Sequence, residues 1–119
     1  IYTSLVVGSS DVYKRQAISG SGPAYFFLFI ESLTDAAIAL GMNGESARKL
    51  ALQTALGASR LASLSSEDAA TLRKNVTSPG GTTEQAIQAF EASDIRGIVA
   101  QATKAAARRS VELSREFGA

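Results

Sequence analysis

The chain has 119 residues with no cysteine and no histidine, which excludes disulfides, thiol nucleophiles, Cys- or His-ligated zinc and any His-based triad. Its formal net charge is +1, so it lacks the basic surface that nucleic acid or an anionic membrane would need. It is 45% hydrophobic with only two prolines, which favours one domain of packed helices over a β-sandwich or barrel. We predict no metal site, no signal peptide and a cytoplasmic location.

Residues 1–16 show no helical apolar period. Leu5-Val6-Val7-Gly8 is consistent with a short strand, and Lys14-Arg15 then brings charge without pattern. We expect this segment to be poorly ordered or loosely docked, as chain ends often are, and to lie outside the domain. The helical domain is predicted over residues 17–119.

The first predicted helix runs over residues 23–40 and stops at Gly41. Its beginning, residues 24–30, is apolar on every side, which predicts burial on every side. A chain this small cannot easily cover such a helix, so we expect a partner chain to do so. Glu31 and Asp35 interrupt the apolar run, which is too short to span a bilayer. This carboxylate pair allows acid–base work or, alternatively, a solvated face.

Four further helices are indicated by apolar spacing and by start and stop signals. Near the end of the helix predicted over residues 66–75, we expect Leu72 and Val76 to face inward. The predicted spans are residues 44–64, 66–75, 82–91 and 94–117.

The most informative stretch is residues 75–85, Asn-Val-Thr-Ser-Pro-Gly-Gly-Thr-Thr-Glu-Gln. Pro79 fixes its own φ, and Gly80 and Gly81 allow backbone angles closed to other residues. Thr82 is a candidate N-cap of the following helix, with Gln85 as its capping-box partner. Unpaired amides and the dipole at such a helix start suit a carboxylate or phosphate. The alternative interpretation is a tight turn before a well-capped helix.

A second glycine stretch, Gly20-Ser21-Gly22, is not a dinucleotide fingerprint, because Tyr25 holds the place of the third glycine. Together with the loop, however, it carries a resemblance. From about residue 17 to 118 the chain resembles the C-terminal helical domain of pyrroline-5-carboxylate reductase. The matching motifs are Ser19-Gly20-Ser21-Gly22-Pro23-Ala24-Tyr25, Asp35-Ala36-Ala37, Leu40-Gly41-Met42, Ala51-Leu52-Gln53-Thr54, Leu72-Arg73 and residues 75–83.

The resemblance implies an all-α fold, a bundle of about five helices of the 6-phosphogluconate-dehydrogenase-like C-terminal type. It implies reduction of 1-pyrroline-5-carboxylate to L-proline with NADPH or NADH, the nucleotide being held by an N-terminal Rossmann domain absent from this chain. It also implies a homodimer, with dimers joining into larger rings. The alternative is a non-catalytic helical module for dimerisation and anion binding.

The resemblance also implies roles for the loop. Backbone amides around Gly80, Gly81 and Thr82 would hold the substrate carboxylate, with a hydroxyl from Ser78. Thr83 would be the catalytic group, placed to hydrogen-bond the ring nitrogen. The implied substrate-binding residues are Val76, Ser78, Gly80, Gly81, Thr82 and Thr83.

Overall fold

A computed structural model of the chain describes residues 10–117. In this range the regular elements are helices joined by short turns, and there is no strand. This confirms the predicted all-α class. No helix in this range is both long and apolar enough to cross a membrane. The elements are α1 (Ser10–Arg15), a π-helix (Gln16–Gly20), α2 (Gly22–Ala39), α3 (Gly44–Leu64), α4 (Ala69–Asn75), α5 (Thr82–Ala92) and α6 (Ile95–Glu116).

The described residues belong to two compact units, one formed by residues 10–26 and 93–117 and the other by residues 27–92. In the first unit, α1 and the π-helix pack against α6. Tyr13 Oη lies 3.0 Å from Ser114 Oγ, and the Tyr25 hydroxyl donates to the Ala17 carbonyl at 2.5 Å. Ala17 is buried. These contacts fix the helical segment that precedes α2.

Residues 10–16 therefore differ from the sequence expectation of a loosely docked end. They are helical because α6 offers a surface to pack against, a contact a hundred residues away in sequence that no local pattern reveals. The predicted short strand at residues 5–8 lies outside the described residues.

In the second unit, α2 ends where the sequence predicts. Gly41 takes a φ of 108°, the left-handed region that glycine enters without steric cost. Met42 N donates to the Ala37 carbonyl at 3.2 Å and Gly41 N to the Ile38 carbonyl at 2.9 Å. This is a Schellman ending, which pairs carbonyls that the helix would otherwise leave open. Asn43 Oδ1 then accepts from Ser46 N at 2.9 Å and starts α3 at the predicted residue.

The interior of the described chain consists of small side chains. Its buried hydrophobic residues are Ala17, Ala47 and Ala51. Phe27, in the stretch that the sequence predicts to be covered with the help of a partner chain, is 68% exposed, and Leu50 on α3 is 55% exposed. Phe29 and Phe90 join α2 to α5 through rings with centroids 6.0 Å apart. The chain by itself thus leaves most of its large apolar side chains uncovered.

The helix α4 begins at Ala69, three residues later than predicted, because Asp68 is its N-cap. Asp68 Oδ1 accepts from Thr71 N at 2.9 Å. Hydrogen bonds from the backbone and side chain of Thr71 hold the pKa of Asp68 below its ordinary value. The inward orientation predicted for Val76 is wrong: it is 64% exposed, because α4 ends before it and its amide turns back onto Arg73 and Lys74.

We expect Asp68→Asn to keep the cap but to change how stability depends on pH. Because folding lowers the pKa of Asp68, its ionised form stabilises the fold above the unfolded-state pKa, and this contribution disappears as the pH falls through the folded-state pKa. Asparagine caps as well as aspartate but does not titrate. Urea unfolding of wild type and variant at pH 7 and pH 3 measures this. An equal loss of stability for both proteins on acidification would contradict the assignment.

Candidate functional site

The loop between α4 and α5 is anchored on both sides by hydrogen bonds. On the α4 side, Thr77 N donates to the Lys74 carbonyl at 3.1 Å, and the Thr77 hydroxyl donates to the Arg73 carbonyl at 2.5 Å. These bonds pair carbonyls of the last turn of α4. They leave Ser78 as the first residue that projects freely from the loop.

At its centre the loop turns sharply through Ser78-Pro79-Gly80-Gly81. Gly81 N donates to the Ser78 carbonyl at 3.0 Å. Gly80 takes a φ of 73°, which a residue with a Cβ adopts only at a cost. Gly81 has a different constraint, because a Cβ there would lie 3.1 Å from the Ser78 carbonyl oxygen. Both glycines therefore avoid a cost that a Cβ would bring, for two separate reasons.

On the α5 side, the bond that closes the loop comes from an acidic side chain. Gly80 N donates to Glu84 Oε1 at 2.9 Å. The carboxylate lies in the first turn of α5, where the helix dipole also favours negative charge. Glu84 thus ties the left-handed glycine to the helix that follows.

The predicted capping of α5 needs correction. The carbonyl of Gly81 accepts from Gln85 N at 3.4 Å, which places the cap at Gly81 and makes Thr82 the first residue of the helix. The capping box between Thr82 and Gln85 does not form. Because the turn ends at Gly81 and the helix starts at once, the acidic side chain in reach of a loop amide is that of Glu84.

These bonds divide the loop amides into two groups. The amides of Gly80 and Gly81, expected from the sequence to be available, are both paired within the protein. Within residues 10–117, by contrast, the amides of Thr82, Thr83 and Glu84 have no protein acceptor. They are the open donors of the first turn of α5, and the positive end of its dipole lies there.

Three hydroxyl groups accompany these open amides. Ser78 and Thr82 are exposed, and Thr83 is half-buried. None of these three hydroxyls forms a hydrogen bond with another of the described residues. Val76 lies at the α4 end with its side chain exposed. All six predicted loop residues thus lie in one short segment, with donors of two kinds around the start of α5.

Two participants were missed from the sequence, Thr77 and Glu84. Both follow an i, i+4 pattern that could have revealed them. A threonine four residues after Arg73 can bond back to the helix end, and a glutamate four residues after Gly80 can reach its amide.

The other sequence motif lies in the first unit. Ser19 and Gly20 are in the π-helix, and Gly22 starts α2. Ser21 N donates to the Gln16 carbonyl at 2.8 Å. The segment is thus helical throughout, not a strand, glycine turn and helix. This segment therefore lacks the glycine turn of a dinucleotide fingerprint.

The carboxylate pair on α2 supports the solvated-face alternative. Glu31 and Asp35 are both exposed. They line an open groove of about 380 Å³ together with Arg48 and Leu52. Their exposure is typical of a solvated carboxylate face.

Comparison with known proteins agrees with this fold. The family model described as pyrroline-5-carboxylate reductase dimerisation matches residues 10–113. The helical fold and this match define the class of protein, an all-helical dimerisation domain. The chain belongs to the pyrroline-5-carboxylate reductase dimerisation family, and the match includes residues 10–16, before the predicted boundary.

Relatives and solved structures come from distant organisms. Pyrroline-5-carboxylate reductase of Pseudomonas aeruginosa is 52% identical over 102 residues, covering 86% of this chain and 37% of the relative. That of Pisum sativum is 47% identical over 97 residues, covering 82% and 36%. The structure of the Coxiella burnetii reductase matches with a TM-score of 0.86 at 46% identity, covering 91% of this chain and 40% of that one.

A fourth match bears on the cofactor. The structure of the Plasmodium falciparum pyrroline carboxylate reductase, solved with NADP bound, matches with a TM-score of 0.83 at 36% identity, covering 87% of this chain and 40% of that one. The chain therefore spans about two fifths of the length of the relatives it matches.

We expect both loop glycines to resist substitution. Gly80→Ala forces a Cβ into the left-handed region and should cost about 1–2 kcal/mol. Gly81→Ala should cost about 1–3 kcal/mol, the range for overpacking, because its Cβ meets a backbone oxygen that cannot rotate away. Urea unfolding measures both changes.

The matched control is Gly44→Ala at the start of α3, where a new Cβ has only an ordinary contact, 3.9 Å from Ile38 Cδ1. It should not lower the free energy of unfolding. Equal losses at Gly80 and Gly44 would mean that the left-handed conformation of the loop has no special cost.

Proposed function

We propose that this chain is the dimerisation and substrate-binding part of a pyrroline-5-carboxylate reductase, which reduces 1-pyrroline-5-carboxylate to L-proline in proline biosynthesis. The observation that carries the proposal is the start of α5: open amides at Thr82 and Thr83 with neighbouring hydroxyls, within a chain of this family. We further propose the cytoplasm as its location. We also propose that the dimerisation and substrate-binding domain, predicted from the sequence over residues 17–119, extends back to residue 10, because α1 packs on α6 and the family match begins there.

The substrate carboxylate would bind at the start of α5. The amides of Thr82 and Thr83 would donate to it, and the exposed hydroxyl of Ser78 would add a third hydrogen bond. Gly80 and Gly81 shape the turn and leave no side chain above it. Val76, exposed at the end of α4, would contact the apolar part of the ring.

Thr83 would hydrogen-bond the ring nitrogen. The reaction adds a hydride to the carbon of the C=N bond, and the nitrogen takes up a proton from solvent. The group beside that nitrogen therefore needs to orient it and not to act as a nucleophile. A chain without histidine or cysteine can do this with a hydroxyl. The hydride would come from NADPH or NADH, held outside the residues described here.

Homodimer formation follows from the uncovered apolar surface. In the second unit, Phe27 and Leu28 are each more than 60% exposed, and exposed apolar surface on a helix is typical of an interaction site. The family description names dimerisation. We propose that a second copy covers α2, and that dimers join into larger rings.

A chimera tests the catalytic assignment. This chain replaces the matching part of the Pseudomonas aeruginosa relative, so that the relative supplies the rest of its own length. The chimera should oxidise NADPH in the presence of 1-pyrroline-5-carboxylate. In it, Thr83→Ala should lower kcat/KM about 10- to 100-fold, the value of one hydrogen bond to a charged group, and Thr83→Ser should restore most of it.

The control is Thr103→Ala, which removes an exposed hydroxyl from α6 that bonds only to its own helix. It should leave the rate unchanged. A folded chimera without turnover would favour the alternative, a non-catalytic dimerisation and anion-binding module. Turnover that Thr83→Ala does not alter would remove Thr83 from its role.

Sedimentation tests the dimer. The chain should sediment as a dimer or larger assembly at micromolar concentration, and Phe27→Glu should shift it toward monomer by burying a charge in the interface. Ser66→Glu adds the same charge to the exposed connection before α4 and should have no effect. A well-folded wild-type monomer at micromolar concentration would disprove this part of the proposal.

A further inference from the structure

The loop already binds one carboxylate, and that carboxylate belongs to the protein. Glu84 Oε1 accepts the Gly80 amide at 2.9 Å. Charged acceptors make the shorter and stronger hydrogen bonds of proteins. This contact shows that the amide of Gly80, in the turn before α5, donates to a carboxylate.

The position of Glu84 brings it into conflict with a carboxylate ligand. The open amides of Thr82 and Thr83 lie between Gly80 and Glu84 in sequence, within the same turn of backbone. A ligand carboxylate on those amides would be a near neighbour of the Glu84 carboxylate. Two anions that share one small site repel each other, and each weakens the binding of the other.

We propose that the Glu84 carboxylate, held on the Gly80 amide, repels a carboxylate bound to the Thr82 and Thr83 amides and thereby sets the affinity of the site for its substrate. This inference rests on the proposed function. In the free protein, Glu84 holds Gly80 and keeps the loop closed. When the substrate carboxylate binds, Glu84 releases the amide or tolerates a second anion beside it, and either event costs affinity.

An ordinary helix-start acid does not behave in this way, and α3 provides the comparison. Glu45 also lies in the first turn of its helix. There the cap is Asn43, whose side chain accepts from Ser46 N, so the loop before α3 is closed without Glu45. Glu84 differs because its carboxylate is itself the group that holds the loop amide.

The experiment uses the chimera with three variants. Glu84→Gln keeps the shape and an acceptor oxygen but removes the charge, Glu84→Ala removes both, and Glu45→Gln removes the same charge from the start of α3. Initial rates give KM for 1-pyrroline-5-carboxylate and kcat, and calorimetry gives the dissociation constant of L-proline. Circular dichroism and sedimentation verify that each variant is folded and assembled.

We expect Glu84→Gln to lower KM and the L-proline dissociation constant about two- to fivefold, the size of one exposed charge interaction. Its kcat should stay near that of wild type, because Glu84 does not touch the reacting atoms. The gain should shrink as salt rises from about 0.01 to 1 M, since salt screens the repulsion. Glu45→Gln should change none of these quantities.

An unchanged or higher KM for folded Glu84→Gln would overturn the inference. A rise in KM for Glu84→Ala with a wild-type KM for Glu84→Gln would also overturn it, and would make Glu84 a brace for the loop instead. If Glu84→Ala does not fold, Glu84→Gln alone decides. These KM values are measured in a chimera that reduces 1-pyrroline-5-carboxylate. A chimera with the unchanged chain that shows no turnover would instead contradict the proposed function itself.

Discussion

The left-handed turn at Gly80 is the constraint on which the loop depends. With a φ of 73°, the backbone reverses over two residues and delivers α5 immediately after Gly81. Gly81, at the cap position, has no side-chain oxygen that could accept from the first amides of α5. A Cβ at either glycine would disturb this arrangement, by its conformation at Gly80 and by collision at Gly81. The site is therefore a property of the backbone, to which a few hydroxyls are added.

The buried residues of the described chain also have small side chains, and many large apolar side chains are left exposed. Ala47 and Ala51 are buried while Phe27 and Leu50 are largely exposed. Large apolar side chains are usually among the most buried residues of a folded monomer. The proposed second copy would cover these side chains, and the family description names dimerisation.

Much of the local structure was predictable because its causes are local. The ends of α2 and α3 follow from Gly41 and Asn43, whose bonds lie within a few residues. Errors arose where two local signals competed. The N-cap of α4 is Asp68 and not one of the serines before it. The cap of α5 is Gly81 and not Thr82. In each case the outcome depended on which group reached the amide in three dimensions, and residue type does not specify that.

The sequence by itself determined the helical class, the ends of most helices and the segment that carries the candidate site, because periodicity, glycine stops and a Pro-Gly-Gly turn act over short distances. Only the tertiary structure decided that residues 10–16 pack on α6. It also decided which loop amides are paired and which remain open, and that Glu84 holds one of them. These outcomes depend on distances between groups after the chain has folded, and a linear pattern contains no such distances.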